Sequence, residues 1–344
     1  MRADLAGEST HEYGPAAPAV AAIGIVVIGR NEGDRLKRCL ESVRNLSDRV
    51  VYVDSGSTDD SIAVAQARTS AVVKLDLRTP FTAARARNEG FQKLIEMHPT
   101  LDFVFFVDGD CEVAPGWLEK AGQFLDEHSD IAVVSGFRWE RFPEKSIYNL
   151  LIDIEWREYP FGEARICGGD ALIRVSALKQ VGGYSADLIC GEEPDMCVRL
   201  RKAGWRIWRM NEAMALHDAA MYRFGQWWKR QVRGGYAFAQ GASRHGAPPE
   251  RHCVSESSRV WLWGLGIPLA IAILAVAGSW WNLLLLAIYP VQVVRLARRG
   301  RGSLRENWWR GAALVLGKFP EVIGQMKFLM DRIRGVQSGL IEYK

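Results

Sequence analysis

The sequence predicts an α/β domain with a mostly parallel central sheet over residues 23–240, followed by a helical region at a membrane. Short apolar runs alternate with polar, helix-like segments from Ile23 to about residue 137. The runs are rich in β-branched residues and apolar throughout, which is typical of strands buried on both faces of a parallel sheet. An uncharged stretch from Val260 to Val294 predicts the membrane-associated part.

The alternation of short runs and polar segments predicts the order of the strands and helices. The strand candidates are Ile23–Ile28, Val50–Val53, Ala71–Leu75, Phe103–Val107 and Ile131–Val134. The helix candidates lie at about 33–45, 59–68, 82–97 and 115–127. Parallel strands joined by right-handed crossovers bind their ligands at the carboxyl ends of the strands. Asn31, Asp54 and Asp108 end or follow strands, so they are candidate ligand-binding residues.

The remaining chain is less regular outside the uncharged stretch. Helices are predicted at about 146–157 and 193–203. The segment 223–240 is rich in Trp and basic residues, which predicts an amphipathic helix at the membrane interface. We interpret the Gly-, Pro- and Ser-rich residues 241–258 as a linker. Residues 1–22 contain no apolar run of signal-peptide length, so we expect a disordered, non-secretory tail.

The composition narrows the possible classes of function. Hydrophobic residues make up 48% and charged residues 24% of the 344 residues, the balance of a folded protein. A formal net charge of +4 is too small to indicate nucleic acid as a partner. The 6 cysteines include no Cys-x-x-Cys pair, so we expect no zinc site and interpret them as reduced thiols of the cytosol.

The uncharged stretch predicts a transmembrane helical hairpin over residues 259–297. One helix over Val260–Val294 would be about 50 Å long, whereas the hydrocarbon core of a bilayer is only about 30 Å thick. Gly278-Ser279 offers a turn near the middle, and basic residues at both ends place both ends in the cytoplasm. Residues 298–344 are expected to form an amphipathic interfacial helix and a tail. The alternative is a buried helical pair of a soluble protein.

The tripeptide Asp108-Gly109-Asp110 follows the apolar run Phe103–Val107 and is the only Asp-x-Asp in the chain. Two carboxylates at the end of a strand are suited to a hard divalent cation such as Mg²⁺. A solvated turn is the alternative for the bare tripeptide. Its position after a buried strand favours a functional role.

A second group of polar residues follows the first two strands. Asp54 ends the second strand before the flexible Ser55-Gly56 turn, where its carboxylate can accept hydrogen bonds from a base or a ribose. Asn31-Glu32 occupies the corresponding place after the first strand. The alternative for the loop after Asp54 is a helix cap, because its Ser, Thr and Asp residues are good N-caps.

At this point the order of segments resembles the family 2 glycosyltransferases, which have the GT-A fold, in a bacterial membrane-associated form. The resemblance covers about residues 23–220. The matching segments are Val-Val-Ile-Gly-Arg-Asn-Glu (26–32), Val-Asp-Ser-Gly-Ser-Thr-Asp (53–59), Ala-Arg-Asn (86–88), Val-Asp-Gly-Asp (107–110), Gly-Gly-Asp-Ala-Leu-Ile-Arg (168–174), Gly-Glu-Glu-Pro-Asp (191–195) and Arg-Leu-Arg-Lys-Ala-Gly (199–204).

The resemblance implies a role for each acid of the predicted strand ends. Asp54 is implied to bind the nucleotide base, most often uracil, with Asn31 and Glu32 in the same nucleotide-sugar site. Arg87 is implied to lie near the ribose or diphosphate of the donor. Asp108 and Asp110 are implied to hold Mg²⁺ or Mn²⁺, and Asp108 also to touch the ribose.

The resemblance also implies a catalytic base and a further metal residue. The family's base is the second acid of a Glu-Asp pair, and Glu193 stands at that place here, after Glu192. Asp195 competes for this role because Glu193 departs from the usual residue. The alternative for the Glu pair is first-turn helix charge. His217 lies where some relatives place a His near the metal, with an ordinary packed His as its alternative.

These expectations predict an inverting glycosyltransferase that transfers a sugar from a nucleotide-diphosphate donor. The acceptor is expected to be lipid-linked or a surface polysaccharide, at the cytoplasmic face of the inner membrane. One alternative is a membrane-attached nucleotide-sugar binding protein without activity. Another is a sugar-nucleotide pyrophosphorylase, although Gly29–Gly33 is a poor phosphate loop. No Gly-x-Gly-x-x-Gly follows the first strand, which disfavours a dinucleotide oxidoreductase.

Overall fold

A computed structural model describes residues 22–44, 48–336 and 339 of the chain. The predicted N-terminal tail, apart from its last residue, and most of residues 337–344 lie outside the described residues. The strands are β1 Ile23–Gly29, β2 Val50–Asp54, β3 Ala71–Lys74, β4 Phe103–Asp108, β5 Cys111–Val113, β6 Ile131–Glu140, β7 Gly162–Ala164, β8 Ala171–Arg174 and β9 Arg206–His217.

Helices surround the sheet and form the C-terminal part of the chain. Those of the first part are α1 Asp34–Arg44, α2 Ser61–Gln66, α3 Ala83–Met97, α4 Trp117–Glu127, α5 Ile147–Arg157, α6 Val175–Gln180 and α7 Glu192–Lys202. Those of the second part are α8 Phe224–His245, α9 Val254–Trp261, α10 Ile267–Ala277, α11 Ile288–Arg298, α12 Leu304–Leu316 and α13 Lys318–Arg334. A π-helical turn (Leu262–Gly266) precedes α10, and a 3₁₀ segment (Trp280–Ala287) precedes α11.

The sheet confirms the predicted α/β class and adds an antiparallel half. Its strand order is β3-β2-β1-β4-β8-β6-β9-β5, with β7 beside β9. Strands β1 to β4 pair in parallel, as the strand–helix alternation predicts. From β8 onward most pairs are antiparallel, because β8 runs against both β4 and β6. Apolar runs alone do not reveal strand direction, so the sequence did not predict this half.

Two hydrophobic layers hold the sheet between the helices. Ile25 and Val27 of β1 point into one layer, and Val26 and Ile28 point into the other. This alternation follows from the two-residue period of a strand, and both faces are covered, as in a parallel sheet. The fully apolar β1 run therefore has its predicted position at the centre of the domain.

The strand register brings three carboxyl ends to one edge of the sheet. Gly29 at the end of β1 lies beside Asp54 of β2, and Ile28 lies beside Asp108 of β4. The loops that follow these strands must therefore meet at this edge, where the predicted nucleotide and metal residues are found.

The C-terminal helices pack on α8 and project two long apolar helices. A Cβ at Gly235 of α8 or Gly324 of α13 would overlap the facing backbone, so these two helices cross closely. Val254–Ala277 and Trp280–Arg298 have the length and composition of membrane spans. Only 17% and 6% of their most apolar windows are buried, unlike core helices of a soluble protein. The break between them falls at the Gly278-Ser279 pair.

The segment predicted as a linker, residues 241–258, is partly helical. Helix α8 continues to His245, and α9 begins at Val254. The last turn of α8 brings His245 to the carboxylate of Asp195, with 2.8 Å between His245 Nε2 and Asp195 Oδ1. This contact joins the C-terminal helices to the first turn of α7.

Candidate active site

The loops after β1 and β2 are joined by hydrogen bonds. The main-chain N–H of Asn31 donates to Ser57 Oγ at 2.9 Å, and Asn31 Oδ1 accepts from the N–H of Thr58 at 2.7 Å. The N–H of Gly33 donates to the carboxylate of Asp59 at 3.1 Å. Asn31 has a φ of 55°, a left-handed conformation that Asn tolerates better than most residues. The two loops therefore form one rigid rim.

Asp54 lies buried beneath this rim. Its Oδ2 accepts the N–H groups of Gly56 and Ser57, each at 2.9 Å, and its Oδ1 lies 3.3 Å from the hydroxyl of Tyr52. Gly56 has a φ of +92°, which a residue with a Cβ rarely adopts, so the tight turn requires glycine. A carboxylate has about four acceptor positions, so Asp54 keeps capacity for a ligand.

Glu32 lies on the same rim but is directed toward α1. Its carboxylate forms an ion pair with Arg35 at 2.8 Å. Arg35 in turn donates to the main-chain oxygen of Asp218, beyond the end of β9, at 3.2 Å. This contact links the first loop to the part of the sheet that carries His217.

Arg87 of α3 connects two groups of acids that lie far apart in the sequence. Its buried guanidinium lies 3.0 Å from Asp108, 2.9 Å from Glu192 and 3.0 Å from Glu193. Burial acts to lower the pKa of Arg87, but the charges of Glu193 and Asp108 outweigh it and raise this pKa above its usual value. One cation thus faces three carboxylates, which leaves this part of the site with a negative charge.

Two of the acids beside Arg87 have raised pKa values. Burial, together with the charge of Glu192, raises the pKa of Glu193 to about 7, although Arg87 opposes the rise. Burial also raises the pKa of Asp108 above its usual value, again against the effect of Arg87. A carboxylate that titrates near neutral pH is suited to accept a proton during a reaction.

Asp195 has a different environment from Glu193, although only Pro194 separates them. Its carboxylate accepts from Ser185 Oγ at 2.6 Å and from Arg199 Nε at 2.9 Å, besides its contact with His245. Burial acts to raise its pKa, but the hydrogen bonds from Ser185 and His245 lower it overall. The structure therefore places Asp195 in a network between α7 and α8 and Glu193 against Arg87.

A second group of possible ligands lies at the ends of β5, β6 and β9. Ligand atoms of Asp110, Cys111 and His217 lie within 4.8 Å of one another, and all three residues are buried. In the strand register His217 lies between Cys111 on one side and Glu140 on the other. Its Nε2 is 3.4 Å from Asp110, and its Nδ1 is 3.1 Å from Glu140.

Glu140 holds His217 in place. It is buried and accepts the N–H of Ala219 at 3.1 Å, so its carboxylate is fixed by the backbone. A histidine that ligates a metal usually has its other ring nitrogen held by a carboxylate in this way. Burial raises the pKa of the Cys111 thiol, which keeps it protonated, and the described cysteines are all free.

The groups around Arg87 and His217 are connected by Asp170, Arg138 and Trp156. The N–H of Asp108 donates to Asp170 at 2.9 Å, and Asp170 pairs with Arg138 at 3.1 Å. The guanidinium of Arg138 lies 3.9 Å from the centre of the Trp156 ring, which meets His217 edge-on at 4.6 Å. Asp170 lies within a matching segment, but no local sequence pattern indicates the contacts of Arg138 and Glu140.

The chain shares sequence with known glycosyltransferases. Residues 24–182 match the model of "Glycosyl transferase family 2". A pre-mycofactocin glycosyltransferase of Mycobacterium tuberculosis is 29% identical over 248 residues, 68% of this chain and 50% of the relative. The chain thus spans about half the length of this relative. The succinoglycan biosynthesis protein ExoA of Rhizobium meliloti is 25% identical over 56% of this chain and 62% of its own.

Solved structures show the same fold. A mannosyltransferase of Pyrobaculum calidifontis, PcManGT, in complex with GDP-Man and Mn²⁺, has a TM-score of 0.61 at 21% identity, over 90% of this chain and 87% of its own. S. aureus TarS 1–349 has a TM-score of 0.51 at 14% identity, over 91% of this chain and 92% of its own. These findings do not favour the pyrophosphorylase or the inactive binding protein. Residues 24–182 of this chain thus match glycosyltransferase family 2, and the α/β part that contains them has the GT-A fold.

Proposed function

We propose that the protein is an inverting glycosyltransferase that uses a nucleotide-diphosphate sugar, with a UDP-sugar as the expected donor. The observation that carries this proposal is the bridge made by Arg87. It joins Asp108, at the donor edge of the sheet, to Glu193, the expected base, within 3.0 Å of each. One cation thus contacts both a residue of the expected donor site and the expected base.

The donor is expected to bind at the rim formed by the first two loops. Asn31 and the loop after Asp54 hold each other, so the base and ribose would meet a preorganised surface. Asp54 would bind the base, and Arg87 would lie near the ribose or diphosphate. The P. calidifontis mannosyltransferase, which contains GDP-Man and Mn²⁺, supports a nucleotide-sugar donor here.

A divalent cation, Mg²⁺ or Mn²⁺, is proposed to bind at the ends of β5 and β9, where ligand atoms of Asp110 and His217 lie within 4.8 Å of each other. Asp110 and His217 would hold it, with Asp108 as the further carboxylate. The imidazole is already directed at Asp110 because Glu140 holds its other nitrogen. When bound, the cation would neutralise the charge that develops on the leaving diphosphate.

Glu193 is proposed as the catalytic base. Its carboxylate takes the proton from the acceptor hydroxyl as that oxygen attacks the anomeric carbon, and the bond from this carbon to the diphosphate breaks on the opposite face. Configuration therefore inverts. A pKa of about 7 allows Glu193 to be deprotonated before the reaction and to keep the proton afterwards. Glu192 balances the charge of Arg87, and Asp195 positions α7.

We further propose that the enzyme works at the cytoplasmic face of the inner membrane on a lipid-linked or polysaccharide acceptor. The two long apolar helices are mostly exposed, as expected of membrane spans. Arginines flank both ends of the hairpin, which favours a cytoplasmic position for both. The R. meliloti relative, a succinoglycan biosynthesis protein, supports a polysaccharide precursor as the acceptor class.

The test is donor turnover by the purified full chain in detergent. A panel of nucleotide sugars is incubated with Mn²⁺ or Mg²⁺ and native membrane lipid extract, and nucleotide diphosphate release is measured. We expect release from one donor, its loss on chelation of the metal, and its loss in Asp110→Ala. The matched control Asp130→Ala changes an exposed acid away from the site and should keep activity. Turnover that persists in Asp110→Ala would contradict the metal role.

A further inference from the structure

An apolar groove lies between the second long apolar helix and helices α12 and α13. It encloses about 460 Å³, within the usual range of ligand sites of about 300–1,000 Å³. Its lining residues are Pro268, Leu286, Tyr289, Pro290, Val293, Ala312, Val315, Leu316 and Phe319. Tyr289 is the only one with a polar side chain, and its hydroxyl already donates to the main-chain oxygen of Trp263 at 2.6 Å. The groove therefore suits a hydrocarbon chain.

The groove follows one face of the second membrane span. Leu286, Tyr289, Pro290 and Val293 recur at the spacing of one helical face. Helices α11 and α12 approach closely at Val293, because a Cβ on Gly311 of α12 would come within 2.8 Å of the Val293 carbonyl oxygen. A chain in the groove would thus lie along the span, with one end near Val293 and the arginines that follow it.

Five arginines lie in and beside the turn between α11 and α12: Arg295 and Arg298 in α11, Arg299 and Arg301 in the turn, and Arg305 in α12. All five are exposed, and none forms an ion pair with any residue that the structure describes. Arg310, further along α12, is different because it pairs with Glu158. The neighbouring acid Glu306 pairs with Arg157 of α5 and not with these arginines. Arginine clusters beside an apolar surface are suited to phosphate groups of lipids.

Helix α12 separates the groove from the candidate active site. Ala312 lines the groove, whereas its neighbour Ala313 packs against the cluster that contains Trp156 and Trp227. The Trp156 ring meets the imidazole of His217 at 4.6 Å. A lipid in the groove would therefore lie one helix away from residues of the proposed metal site.

We propose that the groove and the arginine cluster form a binding site for a single-chain lipid phosphate. The groove holds the hydrocarbon chain, and the arginines hold the phosphate. This lipid is the carrier part of the acceptor, an assignment that rests on the proposed function.

The test measures binding of a polyisoprenyl phosphate to the full chain in nanodiscs of phosphatidylcholine, by native mass spectrometry. Ala312→Phe fills the groove and should weaken binding by about tenfold or more. Leu316→Asn adds a polar amide at a position that is 42% exposed, and should weaken it without added bulk. The control Val276→Phe changes a residue of α10 that is 90% exposed and outside the groove, so it should bind as the wild type does.

Two results would overturn the site. One is unchanged binding in both folded groove variants, and the other is equal displacement of the probe by phosphatidylglycerol, which would indicate a general anionic-lipid surface. Donor turnover separates this inference from the proposed function. Turnover without polyisoprenyl phosphate binding contradicts the groove alone. Binding that the variants weaken, with no donor turned over, supports the groove and contradicts the proposed function.

Discussion

The catalytic edge of the α/β domain and the turn between α11 and α12 carry charge in opposite ways. At the catalytic edge Arg87 pairs with the buried carboxylate of Glu192, and Arg138 pairs with that of Asp170. In and beside the turn, five exposed arginines have no ion pair with any described residue. A buried charge is costly unless it is paired, whereas an exposed charge is stable in water. The first region is thus preorganised by its own residues, and the second is open to a partner from outside.

The largest expected effect comes from removing the proposed base. Glu193→Gln keeps the size of the side chain but cannot accept a proton, so kcat should fall by about 10²–10⁴-fold with little change in donor KM. The control Glu119→Gln changes an exposed glutamate of α4 and should leave kcat unchanged. Steady-state kinetics checks both variants. Wild-type kcat in Glu193→Gln would mean that the crowded acids beside Arg87 serve stability alone.

The next effect concerns stability. Arg87→Met leaves three carboxylates without their shared cation, and we expect the free energy of unfolding to fall by about 3–5 kcal/mol. Arg78→Met is the matched control because Arg78 is 91% exposed in its ion pair with Asp76. That pair is screened by solvent, so its loss should change the free energy of unfolding little. Denaturant unfolding in detergent compares the two variants. Equal losses of unfolding free energy would contradict the difference between buried and exposed ion pairs.

A smaller effect is expected in the second apolar helix. Leu284→Asp places a charge on a residue that is 68% exposed, and insertion should become less favourable by about 2.5–3.5 kcal/mol. The variant should be extracted from membranes by alkaline carbonate more readily than the wild type. Leu77→Asp, at a position that is 59% exposed in the α/β domain, is the control and should stay with the membrane. Equal extraction of the two variants would contradict the membrane role.

The pH dependence of the reaction rate is the smallest effect expected at the catalytic edge. Glu193 accepts a proton only when it is deprotonated, and its pKa is raised to about 7. The rate should therefore fall by about tenfold per pH unit below that pKa and level off above it. Asp195→Asn should keep this profile, because we propose that Asp195 positions α7 and that Glu193 takes the proton. A profile that is flat from acid to neutral pH would assign the base elsewhere.

The sequence predicted local structure well and contacts between distant residues poorly. Periodicity indicated the strands before Asp54 and Asp108 because burial on both faces leaves an unbroken apolar run. It could not show that Arg87 pairs with Glu192, since the two are 105 residues apart. Similarly, Glu140 reaches His217 only because β6 and β9 lie side by side. Such contacts depend on strand order and direction, which hydrophobic patterns do not encode.

Asp195 shows the same limit within a single segment. Glu193 and Asp195 are equally acidic in the sequence, and both were candidates for the base. Their side chains leave the first turn of α7 in different directions, so one meets Arg87 and the other meets His245. The contact with His245 exists because helix α8 continues to that residue. The Gly- and Pro-rich composition after residue 240 predicted a linker there, so the sequence did not indicate this contact. The roles of both acids stay predictions until kinetics separates them.

Manganese binding tests most directly whether acids from separate strands converge on a bound sugar diphosphate. Electron paramagnetic resonance of Mn²⁺ titrated into the full chain should show binding that nucleotide diphosphate tightens. Asp110→Ala should lose this binding, and Asp130→Ala should keep it. If Asp110→Ala binds Mn²⁺ and nucleotide diphosphate as the wild type does, the proposed metal-assisted site is contradicted.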